Sequence, residues 1–81
     1  MLKTKIKVGH YYEFKLDEKH VVAFAVLYGF ERGKNKGVYT LMMYNHGKNF
    51  EFPIEEVLFN KWVKEGRIKE INSDQALNYA L

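Results

Sequence analysis

Eighty-one residues allow one domain, with a core of about 20–25 side chains and a stability margin on the order of a few kcal/mol. An apolar fraction of 47% and an aromatic fraction of 16% exclude a disordered chain, and the absence of cysteine excludes disulfides and thiolate chemistry and favours a cytoplasmic protein. A formal charge of +3 permits an anionic partner without demanding one.

The N-terminal Met1-Leu2-Lys3-Thr4-Lys5-Ile6-Lys7 is basic but no apolar run follows it, so it does not read as a signal peptide. Leu2, Thr4, Ile6 and Val8 alternate with Lys3, Lys5 and Lys7, the period of a half-buried strand with a lysine row outside. Gly9 interrupts, and alternation resumes at Tyr12, Phe14 and Leu16. This is one bent strand or two short ones. Asp17-Glu18-Lys19-His20 is a polar turn. Val21 to Phe30 follows, too short to span a bilayer, and no membrane partner is expected. Its β-branched and aromatic content predicts the central strand, with Val22, Phe24, Val26, Tyr28 and Phe30 on one face and smaller residues on the other. Both faces should be covered.

Residues 31–37 are a polar segment with Gly33 and Gly37, the expected tip of a hairpin. Val38 to Tyr44 alternates again. Asn45-His46-Gly47-Lys48 is a second turn, and Phe50 and Phe52 flank Glu51 in a short strand. Pro53 changes the period. It suits the first position of a helix, Glu55 and Glu56 suit the first turn, and Gly66 suits the position just past the end. The spacing predicts a helix over 53–65. Ile54, Val57, Leu58 and Trp62 form its apolar stripe, and Phe59 and Val63 widen the arc beyond what one sheet face needs. Residues 67–71 read as a closing strand with Ile68 and Ile71 inward. Asn72 and Gln75 resemble a capping pair before a short terminal helical turn or tail over 72–81.

The expected architecture is mainly β (α+β), order β-β-β-β-α-β. A single domain over 1–81 divides into an antiparallel meander (1–52), a helix (53–66), a closing strand (67–71) and the terminal turn. A sheet of this size curls into an SH3-like or OB-like barrel, or stays open with the helix laid across it.

Chemistry is sparsely encoded. The Gly33–Gly37 segment lacks the Lys-Ser or Lys-Thr ending of a phosphate loop. His10, His20 and His46 have no metal-ligand spacing. Ser73 is the single serine and has no acid–base partner suggested by spacing, and the adjacent pairs Asp17-Glu18 and Glu55-Glu56 point in different directions on regular structure. No enzyme activity and no cofactor is therefore expected. Two binding functions follow instead. The first is a protein-interaction module, an adaptor, inhibitor or subunit, whose partner is another protein or a second copy in a homodimer. Its contacts would be Phe59, Val63 and Trp62 on the helix. The alternative is nucleic-acid binding by Lys3, Lys5, Lys7, Arg32, Lys34, Lys36 and Lys48, with Tyr11, Tyr39 or Tyr44 stacking on bases.

Overall fold

The computed structural model describes residues 6–30, 37–45 and 48–80. In chain order these form β1 (Tyr11–Lys15), β2 (Val21–Phe30), β3 (Val38–Asn45), β4 (Lys48–Glu55), α1 (Glu56–Lys64), β5 (Ile68–Ile71) and α2 (Ser73–Ala80). The five strands make one antiparallel sheet in the order β4-β3-β2-β1-β5. Val21–Phe30 is the central strand, as its composition predicts. Among the described residues the sheet does not close: β4 and β5 are its edges, and a helix lies over each face. The expected barrel closure is thus not seen, and the open sheet crossed by a helix is.

Helix α1 leaves one edge strand and enters the other, so it must cross a face of the sheet. That face is the main core. Tyr12 and Phe14 from β1, Val22, Phe24 and Val26 from β2, Tyr39, Leu41 and Met43 from β3, Ile54 from β4 and Ile68 from β5 pack with Phe59. Phe59 meets Tyr12 edge-on at 5.3 Å between centroids, Tyr12 stacks on Phe24 at 5.4 Å, and Trp62 stacks on Phe14 at 4.6 Å. These five packed rings supply much of the apolar area a short chain needs.

The helix begins at Glu56, not at Pro53 as its sequence position suggests. The Glu56 N–H donates to the Gly37 carbonyl at 2.8 Å, continuing the β3–β4 register by one pair. Hydrogen-bonded pairs in an antiparallel ladder alternate, so the Thr40–Pro53 pair is the wide kind and the Pro53 nitrogen points away from β3. On an edge strand that position loses no ladder bond, which is why proline is tolerated there. The three-residue shift removes Ile54 from the helix stripe and rotates the rest. Phe59, Trp62 and Val63 face the sheet, and Val57 and Leu58 face outward.

The helix ends where Gly66 predicts. At φ +76°, Gly66 donates to the Val63 carbonyl at 3.0 Å and Arg67 to that of Trp62 at 2.9 Å, the paired bonds of a Schellman end. Arg67 then lies over the Phe14 and Trp62 rings and donates to the carbonyls of Lys15 and Leu16, tying the helix end to the β1–β2 turn.

The second face is covered by α2, whose Ala76 packs on Ala23 and Ile71, with Tyr79 of the helix and Tyr11 and Tyr44 of the sheet alongside. The predicted cap is present: Gln75 N–H donates to Asn72 Oδ1 at 2.8 Å, and Asn72 N–H to Gln75 Oε1 at 3.0 Å. The terminal segment is therefore a helix of eight residues rather than a tail. Alanines at 23 and 25 leave room for it. Ile68 and Ile71 are both buried, but on opposite faces.

Three further expectations change. The alternation proposed for residues 2–8 lies largely outside the described residues; where it can be followed, Ile6 is buried in the main core as expected, but Val8 is exposed and residues 8 and 9 turn instead of extending, with Gly9 at φ +84°. Leu16 lies past the end of β1 and is exposed. Most consequentially, β2 carries a bulge between Val26 and Tyr28, where the register to β3 slips. A one-residue slip exchanges the faces. Tyr28 and Phe30 leave the core side, and Gly29 takes their place under the Tyr39 ring.

Candidate interaction surface

The slip at Val26 decides what the second face looks like. Along it, side chains stand in rows across the strands. Tyr44, Ala23 and Glu13 form one row; Met42, Ala25 and Tyr11 form the next. Helix α2 sits over these. Beyond the bulge come Tyr28, Thr40 and Pro53, then Phe30, Val38 and Glu55. These two rows lie past the helix. Tyr28 is 53% exposed and Phe30 69%, with Val38 and Pro53 also exposed beside them. The two rings alone leave on the order of 200 Å² of mostly apolar surface in water. A contiguous apolar patch of a few hundred Å² on a small domain marks a binding site more often than a lone exposed residue does. At the same end of the sheet, the first turn of α1 exposes Val57 (58%) and Leu58.

The same face has a concave part. A groove of about 280 Å³ runs along α2, lined by Ser73, Asp74, Ala76 and Leu77 from the helix and Tyr11 and Tyr44 from the sheet. Leu77 is 59% exposed beside it. Burial and the neighbouring Tyr11 raise the Tyr44 phenol above its ordinary range, and the bond it donates to Glu13 at 2.7 Å does the same for Tyr79. Both phenols stay neutral at physiological pH, and Asp74 is the acidic side chain among the groove's lining residues.

A second, polar groove of about 550 Å³ opens where β5 meets α2, lined by Gly9, His10, Tyr11, Glu70 and the cap of α2. His10 Nδ1 lies 2.8 Å from Glu70 Oε2, and Lys7 Nζ lies 3.9 Å from Oε1 of the same carboxylate. His20 instead closes the β1–β2 turn on Asp17, whose carboxylate accepts the backbone N–H of Lys19 and of His20 and the His20 ring. These bonds hold the Asp17 carboxyl below its ordinary value, the Lys19 N–H first among them. His46 lies outside the described residues. Among the described residues no group of three His, Asp or Glu side chains could hold a metal ion, and no helix is long and apolar enough to cross a membrane.

The residues singled out from sequence are placed unevenly. Phe59, Trp62 and Val63 were expected at an interface. Phe59 is fully buried, which takes its side chain out of a partner's reach, and Trp62 and Val63 are half-buried against the core. The exposed apolar side of the helix belongs to Val57 and Leu58. Of the basic set, Lys3, Lys5, Arg32, Lys34 and Lys36 lie outside the described residues. Lys7 faces Glu70, and Lys48 opens β4 at the sheet end remote from Phe30. Tyr39 is buried on the core face, and Tyr11 and Tyr44 are half-buried beside α2, so these three rings do not form a stacking platform. Among the described residues the exposed aromatics are Tyr28 and Phe30, side by side on the second face, and Phe50 on the edge strand β4. Strict alternation concealed Tyr28 and Phe30. The signal that could have found them is Gly29, a residue that packs nothing, set inside an apolar strand.

Compared with known protein families, curated proteins and solved structures, the chain has no match.

Proposed function

We propose that this chain is a non-enzymatic interaction module that holds another protein against the bare rows of its second sheet face. The observation that carries the reading is the side-by-side exposure of Tyr28 and Phe30, whose cross-strand neighbours Thr40, Val38 and Pro53 make the surface continuous. Aromatic side chains on a rigid strand bind with little loss of side-chain freedom, which suits them to be anchors. The free edge beside them is a poor alternative. Strand β4 directs the backbone of Glu51, Pro53 and Glu55 outward, so two carboxylates and a missing N–H oppose the addition of a further strand. Binding therefore uses the face and not the edge.

The order of strands, with α1 between β4 and β5, supports reading the fold as an SH3-like barrel left open; the analogy assigns no ligand. The lack of cysteine supports a reducing, cytoplasmic setting.

A photo-crosslinking amino acid placed at position 30 in the cells that make the protein tests the reading. Adducts to a protein should form at position 30 and not at exposed Lys64 on α1. Equal labelling at both positions, or none at position 30, defeats it.

One observation favours a second reading. Tyr28 and Phe30 are two residues apart on an open antiparallel sheet, the spacing at which aromatic rings stack on successive bases of a single strand, and Arg32, Lys34 and Lys36 follow in the sequence. Titration with single-stranded RNA or DNA at low and high salt discriminates. Affinity that falls steeply with salt, and that Phe30→Asp abolishes, replaces the first reading with this one.

A further inference from the structure

The groove along α2 is built from side chains that suit one kind of ligand. Tyr11 on β1 and Tyr44 on β3 stand on either side of the central strand, which places Ala23 and Ala25 between them. Two strand spacings, about 10 Å, separate β1 from β3, so the tyrosines flank a trough. Helix α2 supplies its side with Ser73, Asp74 and Leu77, which share a flank at three- and four-residue spacing. Among the described residues neither tyrosine stacks on another ring. Burial first, and the nearness of Tyr11 second, raise the Tyr44 phenol, so the two phenols are within electrostatic reach of each other. Asp74 is the charged side chain of the lining, and it is exposed. In the row of Tyr44 a second carboxylate, Glu13, accepts the Tyr79 hydroxyl, and Lys69 stands beyond Glu13, three strands from Tyr44. At about 280 Å³ the groove falls just below the range of small-molecule sites, about 300–1,000 Å³, a size for a head group and not for a whole cofactor.

We propose that this groove binds a methylated ammonium group, with Tyr11 and Tyr44 presenting ring surface to the cation and Asp74 supplying the counter-charge. The lining discriminates among ligands. A bare ammonium is strongly hydrated and loses more on leaving water than two rings and one exposed carboxylate return. Methyl groups spread the charge over an apolar surface that packs on tyrosine and on the exposed Leu77, while the attraction to the rings persists. An anion is repelled by Asp74, and a neutral apolar group gains nothing from it. A methylated lysine side chain and choline-type small molecules both carry such a head, and the groove recognises what they share. The assignment is separate from the Tyr28–Phe30 rows, which lie past the helix, and it stands or falls without them.

Amide NMR titration of the whole chain is the test, with the amide of N-acetyl-trimethyl-lysine and with choline as probes. Each should shift the signals of residues 11, 44 and 73–77 and saturate with a dissociation constant on the order of millimolar, as an open site with two rings allows. Neohexyl alcohol, the uncharged carbon isostere of choline, should bind about tenfold more weakly. Tyr44→Leu removes one ring and should weaken both cations about threefold, and Tyr44→Phe should bind as the wild type does, which a folding defect would not. Asp74→Asn should weaken both cations, remove the salt dependence of their binding and leave the isostere unaffected. The tighter probe names the source: the trimethyl-lysine amide a protein side chain, choline a free small molecule. Absence of saturable shifts with both probes overturns the proposal. So does equal affinity for the isostere, which would make the groove merely apolar, and so does a folded Tyr44→Leu that binds both cations as the wild type does.

Discussion

The two faces of the sheet are built from the same strands and finished differently. Under α1, every strand contributes a large side chain, and Phe59 closes the layer from above, in ring contact with Tyr12 and Phe24. Under α2, the central strand offers alanines, the helix buries Ala76, and among the described residues the rows beyond it are exposed. A chain of this length has too few apolar residues to finish both faces, because small domains bury a smaller share of their surface. Concentrating the large rings on one side secures the fold. It leaves the other side free to present Tyr28 and Phe30 at little cost to stability.

If that division is right, substitutions should sort by face. Phe59→Ala removes the ring at the centre of the closed face and should cost about 3–5 kcal/mol. That is comparable with the whole stability of such a domain, so the variant should be largely unfolded at 25 °C in a urea titration. A well-folded Phe59→Ala would mean that α1 is dispensable to the core.

Gly29→Ala tests the bulge. A Cβ at position 29 would run into the Tyr39 ring, which covers the glycine from the neighbouring strand. Overpacking of this kind costs about 1–3 kcal/mol, read as a lower urea midpoint with an unchanged slope. Were the strand regular, the same substitution would sit on the second face and be nearly silent.

Tyr12 gives the closed face a pH signature. Burial is the main reason its phenol is pushed up to about 12 from an ordinary value near 10, and its oxygen accepts the Lys7 N–H at 3.0 Å. The folded state thus favours the neutral form. The associated stability is present in full below the unfolded pKa, near pH 10, and is lost as pH rises toward 12. The loss should amount to about 2 kcal/mol across that window, following proton linkage. Tyr12→Phe should flatten most of this alkaline decline in thermal melts, leaving a smaller part from Tyr44 and Tyr79, whose phenols are also raised. A decline of unchanged size in Tyr12→Phe would assign it to other groups.

The contrast between faces also marks how far the sequence could be read. Local rules succeeded where local chemistry decides. The period-two run of Val21–Phe30 marked the central strand, Gly66 marked the helix end, and Asn72 with Gln75 marked the last cap. They failed where a partner strand decides. Pro53 fits both a helix start and an edge strand, and it is the pairing with β3, through Ile54–Tyr39, Glu55–Val38 and the Glu56–Gly37 bond, that extends β4 past it. That shift turned Phe59 inward and Val57 outward, exchanging the predicted contact residue for a core residue. The bulge at Val26 is likewise a property of two strands, so alternation in one of them placed Tyr28 and Phe30 on the wrong side. The candidate surface follows from these non-local events, and for that reason the sequence hid it.

The smallest expected effect is the most diagnostic for function. Phe30→Ser exchanges an exposed ring on the unfinished half of the second face for a small polar group. Changes at exposed positions away from caps and buried networks stay within about 0.5 kcal/mol, and this one also removes apolar surface from water in the folded state. Its urea midpoint should therefore match the wild type or exceed it slightly. A residue retained for packing would show the opposite, a loss of 1 kcal/mol or more. A stable Phe30→Ser that has lost association locates the reason for the ring outside the fold, in what docks on that half of the sheet. A destabilised one would mean that the rows beyond the bulge are a second core, and that the two faces differ less than their exposure indicates.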